Sequence, residues 1–416
     1  MFLDNTNGKL PFFEQISDAP VQYKMGPYLE TQVRQREKDA SEGKITDTLF
    51  IDTLKDETRE LSKVLSGKTR LFQIAPVDFN LLIRKYFGAF LMHTQATYIR
   101  GEGAVGINAN SMEWTALVKE QLSVGDDFLN GDVRKFDASA AQRIGMSNAE
   151  SINKWYRNGR DWSPEHDMIR RVLFATFLNS KHIYRDVVYQ AVQGNKSGTA
   201  ITTWFNNLIG MFVTRLAILR AYRTLINFNK GIGPKYYGDD DSIAVNTAIY
   251  PQMTGKYYKQ IMASVGLEYT SALKGEVVDG WYKLPDVSFL KRKFTFDGVK
   301  YLPQLDWQVI IEIARWSESD PTNMVDQMNR FNSSLLEASN YGRVKFNELR
   351  QRYIEYCYLL MKAGYSISSN ELFIYEYCER IKWGEDYSPV QLQYDRAKVI
   401  DTDLVVRAVG CVDNVQ

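Results

Sequence analysis

The residues best able to do chemistry in this 416-residue sequence are acidic and fall in two stretches. Asp132 and Asp137 lie just beyond a short β-type run, and Asp239-Asp240 follow Gly238 between two more β-type runs. Gly-Asp-Asp alone is a weak motif, equally at home in an acidic hairpin turn. The second pair gives it weight, because two Asp-bearing strand ends can be neighbours in one sheet, which would set Asp132 beside Asp239. Like charges about 4 Å apart repel by roughly 4 kcal/mol at an effective dielectric of 20. A fold tolerates that only where a proton or a cation offsets it. With hard oxygen donors and no His or Cys alongside, Mg2+ or Mn2+ is the natural occupant. Two such ions about 3.5–4 Å apart stabilise both the attacking and the leaving oxygen of an in-line phosphoryl displacement.

Two further groups could serve such a reaction. Lys55, Arg59, Lys63, Lys68 and Arg70 put five cations against Asp56, Glu57 and Glu60, a run that taken alone reads as a solvated helix face. Ser197-Gly198 stands where a helix is expected to begin, and Thr202 and Asn206, four apart, share one side of it. That pair is either capping and satisfied core polarity or, if it faces the carboxylates, a reader of sugar hydroxyls.

The positioning elements follow from pattern. Phe128 to Val133 reads as one short strand, and Lys235 to Val245 as a hairpin turning at Gly238-Asp239. Gly194 to Gly198 is a loop opening a long helix, with Ile201, Trp204, Phe205, Leu208, Met211 and Phe212 as its apolar stripe. Glu30 to Glu42 is a charged helix. The last 110 or so residues are mostly helical in pattern, with faces at Trp307, Ile310, Ile311, Ile313 and Ala314 and over Tyr353 to Met361.

Composition bounds the rest. Hydrophobic residues at 44% and charged residues at 24% are ordinary for a folded protein of two or three domains or one multi-lobed one. The formal charge of +1 makes any nucleic-acid site a local concentration of cations. Three cysteines and three scattered histidines, without a CxxC pair, rule out a disulfide scaffold and argue against a zinc cluster and a Cys/His nucleophile. No run of about 18 apolar residues occurs; Leu208 to Leu219 is cut by Arg215. The first 30 residues lack a signal-peptide pattern, so a soluble, intracellular type is expected.

Asp132-x4-Asp137, then Ser197-Gly198-x3-Thr202-x3-Asn206, then Tyr237-Gly238-Asp239-Asp240, in that order, resemble motifs A, B and C of the picornavirus-like RNA-dependent RNA polymerases. Lys55-Asp56-Glu57 with Lys63 and Lys68-Thr69-Arg70-Leu71 is similar to motif F. Gly266 to Thr270 with Lys274 is similar to motif D, and Phe289-Leu290-Lys291-Arg292 to motif E. The matches span about residues 55 to 293.

The resemblance implies an α+β right-hand polymerase. Fingers would comprise 1–90 with 178–196, the palm 91–177 and 197–300, carrying an antiparallel sheet, and a helical thumb 301–416. It implies template-directed nucleotidyl transfer onto an RNA primer, or onto a small genome-linked protein. Asp132, Asp239 and Asp240 with the Val133 carbonyl would hold Mg2+ (Mn2+ substituting). Asp137, Thr202 and Asn206 would read the ribose 2′-hydroxyl, and Ser197 and Gly198 would handle template and nucleotide. Arg70, with Lys55, Arg59 and Lys68, would hold the triphosphate. Lys274 would protonate pyrophosphate, and Lys291, Arg292 and Lys293 would grip the primer. Partners implied are RNA template and primer, nucleoside triphosphates and other viral replication proteins. The implied place is the host cytoplasm at membrane-associated replication complexes.

Three departures stand out: Asp241 adds a charge where relatives often carry an uncharged residue, the stretch before Lys55 is short, and Asn5 to Phe12 is not a clean motif G. The expectation is a truncated domain or polyprotein piece with incomplete fingertips. A reverse transcriptase would usually carry a bulky aromatic where Asp137 stands. A binding-only relative has no reason to keep the carboxylates.

Overall fold

The structure is a computed structural model, and it describes residues 12–383 except 19–20, 58, 135, 140–141, 160–161, 193, 273–274, 318–319 and 321. The chain packs as two compact units. Among the described residues the first gathers 12–94, 133–213 and 262–268; the second gathers 95–132, 214–261 and 269–383.

In the first unit the helix Pro27–Ser41 packs on the helix Pro164–Leu178. The latter starts where Ser163 caps it: its hydroxyl accepts from the His166 N–H at 3.1 Å, and Pro164 supplies a first-turn residue with φ already set. Phe174 and Phe177 of this helix meet Phe205 at 5.7 and 5.6 Å between ring centroids, and Phe174 meets Phe87 at 5.9 Å, an aromatic core with no polar atoms to satisfy. A four-stranded sheet runs in the order Leu71–Ile74, Leu49–Leu54, Lys181–Tyr184, Val187–Gln190. Its central pair is parallel, Phe50 opposite His182. Beneath it the Ser180 hydroxyl meets His182 Nε2 at 2.8 Å, His182 Nδ1 meets Asp52 at 2.9 Å, and the Tyr189 hydroxyl donates to the same carboxylate. Ser180 and His182 are each 1% exposed, so this Ser-His-Asp chain is a sealed staple between strands.

The second unit holds an antiparallel sheet in the order Tyr282–Lys283, Asp127–Leu129, Asp240–Val245, Ile232–Tyr237. Trp114 of the helix Met112–Val124 lies under it, stacked on Phe294 at 4.7 Å, among Phe128, Ala244, Val287 and Phe289. Gln121 of that helix donates to the Ser242 and Gly233 carbonyls at 2.7 and 3.0 Å, pinning both hairpin strands. The helices Trp307–Ile313, Met324–Ala338 and Arg343–Lys362 close a further core around Ile310, Phe331, Leu335, Phe346 and Leu349.

Three expectations change. The strand expected over 128–133 is two, Asp127–Leu129 and Gly131–Arg134, separated at Asn130. Asn130 spends its amide on the Asp241 carbonyl (2.6 Å) and on Ser288 (2.8 and 2.9 Å) instead of extending one ladder. Asp132 accordingly lies within a strand, not beyond its end. The long helix begins at Thr202, four residues after Gly198, because Gly198 pairs with Ile74 in a parallel bridge. Of the expected apolar stripe, Ile201, Trp204 and Phe205 are buried, whereas Leu208, Met211 and Phe212 are only partly so; from Phe205 onward the buried row passes through Ile209, Val213 and Ala217 at i, i+4 spacing. Residues Arg292–Phe296 and Tyr301–Leu305 form an antiparallel pair ahead of the helical C-terminal part. Among the described residues no helix is long and apolar enough to cross a membrane.

Candidate active site

Tyr236 and Tyr237 favour extended backbone, as do Ile243 to Val245, and Gly238 between them takes φ +70°. Asp240 therefore pairs with Tyr237 across a two-residue turn, Gly238-Asp239. Asp239 is exposed at the tip and Asp240 half-buried at the strand start. Asp132 is exposed on the strand Gly131–Arg134. Its backbone is held locally: the Thr270 hydroxyl donates to the Asp132 carbonyl at 3.1 Å.

The Asp240 carboxyl is pushed up to about 6, first by burial and then by the charges of Asp239 and Asp132; Lys291 and the Leu290 N–H pull it back in part. The two chain segments thus bring their carboxylates within electrostatic reach. Among the described residues no three His, Cys, Asp or Glu side chains form a ready-made metal cage. What is present is a set of hard oxygen donors whose mutual repulsion a divalent cation would relieve, and those residues fit such an ion.

Asp241 departs from the expectation that it adds charge to the cluster. It is 4% exposed and turns away from the tip. Its Oδ1 accepts from the Gly131 N–H at 2.9 Å and from the Tyr269 hydroxyl at 3.0 Å. Burial pushes this carboxyl up to about 8 against those two hydrogen bonds. Alternation along the strand could have signalled it: with Asp240 toward the tip, its neighbour faces the other way.

Leu290 and Lys291 join the strands Ser288–Phe289 and Arg292–Phe296 with φ of +54° and +60°. Both central residues of this hairpin turn are left-handed, a conformation that costs a residue with a Cβ about 1–2 kcal/mol. The turn aims the Leu290 N–H and the Lys291 charge at Asp240. Arg292 is committed elsewhere, to Glu337 at 2.6 Å, which also accepts from the Asn110 amide at 2.7 Å. Lys291 and Lys293 are exposed. An open pocket of about 460 Å³ is lined here by Asn108, Asn110, Tyr237, Asp240, Lys291 and Arg292.

The Ser197 loop of the first unit is tied down along its length. Lys196, 2% exposed, donates to the carbonyls of Leu178 and Gly194 at 3.0 and 3.2 Å, and burial pushes its ammonium down to about 8. Ser197 donates to Gln73 Oε1 through N–H and hydroxyl at 3.3 and 3.4 Å. A Cβ on Gly198 would stand 1.9 Å from the Gln73 carbonyl oxygen, so only glycine fits. The Thr202 hydroxyl meets the Lys196 and Thr199 carbonyls at 2.8 and 2.9 Å, and the Asn195 amide donates to Asn206 Oδ1 at 2.8 Å. Thr202 and Asn206 hold the loop to the helix.

Asp137 belongs to the short helix Phe136–Ser139, and its side chain lies outside the described residues, as does Lys274. Among the basic candidates, Arg59 and Arg70 both reach Glu57, at 3.0 and 3.6 Å, and the Lys55 N–H donates to the Arg70 carbonyl at 2.9 Å. Lys55 and Lys68 are exposed. Gln73 and Asn130 shape these regions without a sequence signal of their own, and Glu57, Lys196 and Tyr269 do so from within stretches the sequence singled out for other residues.

The family model described as viral RNA-dependent RNA polymerase matches residues 5–382. The chain is 30% identical to the replicase polyprotein of Drosophila C virus over 344 residues, 77% of this chain and 19% of that polyprotein. It is also 30% identical to that of Acute bee paralysis virus over 329 residues, 76% of this chain and 17% of the polyprotein. It thus spans about a fifth of the length of these relatives. Among solved structures, the Sicinivirus 3Dpol RNA-dependent RNA polymerase superposes with a TM-score of 0.70 at 22% identity, covering 89% of this chain and 72% of that one. A mixed helix-and-sheet right-hand fold, an acidic hairpin facing an Asp-bearing strand, and a match over nearly the whole described chain converge: this chain belongs to the viral RNA-dependent RNA polymerase family.

Proposed function

We propose that the chain catalyses template-directed RNA synthesis, copying the genome of a positive-strand RNA virus. The observation that carries this reading is the convergence of Asp132 with Asp239 and Asp240: their charges add to burial in pushing the Asp240 carboxyl up to about 6. Asp132, Asp239, Asp240 and the Val133 carbonyl would hold divalent ions, Mg2+ by preference. Such ions lower the cost of charge developing on the attacking and leaving oxygens.

The chain's own residues then position the reactants. A primer 3′-hydroxyl, or a Tyr hydroxyl of a protein primer, forms a bond to the α-phosphorus as the bond to pyrophosphate breaks. Arg70, Arg59, Lys55 and Lys68 neutralise the triphosphate once the nucleotide displaces Glu57 from the two arginines. Lys274 protonates the leaving pyrophosphate. Asp137, Thr202 and Asn206 select ribose, and Ser197 and Gly198 seat template and nucleotide. Lys291 and Lys293 hold the primer end, with Arg292 bracing them through Glu337. The site of action would be the host cytoplasm, at membrane-associated replication complexes with other viral replication proteins.

Primer extension with Mg2+ and with Mn2+, using ribo- and deoxyribonucleotides on one template, tests the reading. Ribonucleotide incorporation that needs a divalent ion is expected. Equal use of deoxyribonucleotides, or no incorporation with either ion, overturns it.

A further inference from the structure

The extra acid after the Gly-Asp-Asp turn has no place in the chemistry just described, yet the interior is built around it. Its carboxyl ties together three chain segments. Oδ1 of Asp241 accepts from the Gly131 N–H at 2.9 Å, one residue before Asp132, and from the Tyr269 hydroxyl at 3.0 Å. One residue after Tyr269, Thr270 fixes the Asp132 carbonyl at 3.1 Å. The backbone of Asp132 is thus anchored on both sides of its Cα, and both anchors trace to the strand pair that Asp241 joins to the hairpin. The Asp241 carbonyl adds a third tie, accepting from Asn130 at 2.6 Å.

The fit is exclusive. A Cβ on Gly131 would stand 2.2 Å from the Tyr269 ring and 2.6 Å from its hydroxyl oxygen, so glycine is what lets Tyr269 reach Asp241. Gly131, Tyr269 and Asp241 are all buried. An apolar residue at 241 would leave a buried backbone N–H and a buried hydroxyl without their acceptor, a desolvation cost that nothing repays. The lost backbone partner lies at Gly131, the residue before Asp132.

We infer that Asp241 is a positioning residue: its carboxyl oxygen sets where Asp132 stands relative to the Asp239-Asp240 turn, and so sets the spacing of the divalent-ion donors. The inference rests on the polymerase reading. The role needs only an accepting oxygen at Oδ1, which a neutral amide also supplies.

The test compares wild type, Asp241→Ala, Asp241→Asn and Tyr269→Phe for thermal midpoint, RNA binding, kcat and KM for the nucleotide, and the Mn2+ concentration giving half-maximal incorporation. Asp241→Ala is expected to raise that concentration and lower kcat by about tenfold or more, the scale of a sub-ångström misplacement of reacting groups. RNA affinity stays unchanged. Asp241→Asn restores both quantities to within about threefold, since it keeps the acceptor. Tyr269→Phe falls between them. A folded Asp241→Ala with the wild-type Mn2+ midpoint and kcat overturns the inference while leaving the polymerase reading intact. If Asp241→Ala does not fold, Tyr269→Phe carries the test, and an unchanged Mn2+ midpoint there overturns it. A wild-type chain that incorporates nothing overturns the polymerase reading and this inference together.

Discussion

The tip of the acidic hairpin and the Ser197 loop treat polarity in opposite ways. At the tip, Asp240 feels the charges of Asp239 and Asp132, and Lys291 and the Leu290 N–H offset them only in part. In the loop, Lys196, Ser197, Thr202 and Asn206 each find partners within the same unit. The first region holds unfavourable electrostatics in reserve for an ion; the second has spent its hydrogen bonds on shape. Substitutions at the tip should therefore remove activity without loss of stability, and substitutions in the loop should do more of the reverse.

The sharpest break is Asp239→Ala. Primer extension should fall at least about 100-fold, while the metal-free thermal midpoint is not lowered, because an exposed like charge has gone. A midpoint falling along with activity would erase the contrast. Next, Asn206→Ala should cost about 1 kcal/mol by removing one of the two acceptors of the Asn195 amide, which keeps the Thr202 carbonyl, seen as a lower midpoint together with looser ribose selection. Asp137→Ala should loosen selection too, and unchanged discrimination in both variants would end the sugar-reading role.

Lys196 supplies a pH test. Its folded value near 8 lies below the ordinary lysine value of 10.5, so between those limits the unfolded chain binds more protons. Stability should rise with pH across that window, by at most about 1.4 kcal/mol per unit, and Lys196→Met should flatten the slope measured by unfolding. The smallest effect concerns the Leu290-Lys291 turn. Replacing both with Asn-Gly, the pair suited to two left-handed positions, should stabilise by about 1 kcal/mol. Denaturant midpoints would report it, and primer use should suffer with the Lys291 charge gone.

The sequence shows most clearly what depends on residue type. Carboxylates at a Gly-Asp turn and beside a short strand announce a cation, and Tyr-Tyr-Gly-Asp-Asp announces a hairpin. Features set by distant partners are hidden. Nothing in Asn130 says that it will interrupt a strand to bond Ser288, 158 residues on. The long helix Thr202–Tyr222 is apolar on much of its circumference, so spacing alone does not reveal which row is buried. Glu57, read as one anion among eight charges, turns out to hold Arg59 and Arg70 because the loop folds back on itself.

The parallel pairing of Leu49–Leu54 with Lys181–Tyr184 has a consequence for synthesis. On the ribosome the earlier strand emerges some 130 residues before the one that covers its open edge. Until then that edge stays available to other chains, a hazard that grows with local concentration. Long-range closure of this kind is slow, so the order in which the chain is made, as much as its final energy, decides how much of it reaches the native state.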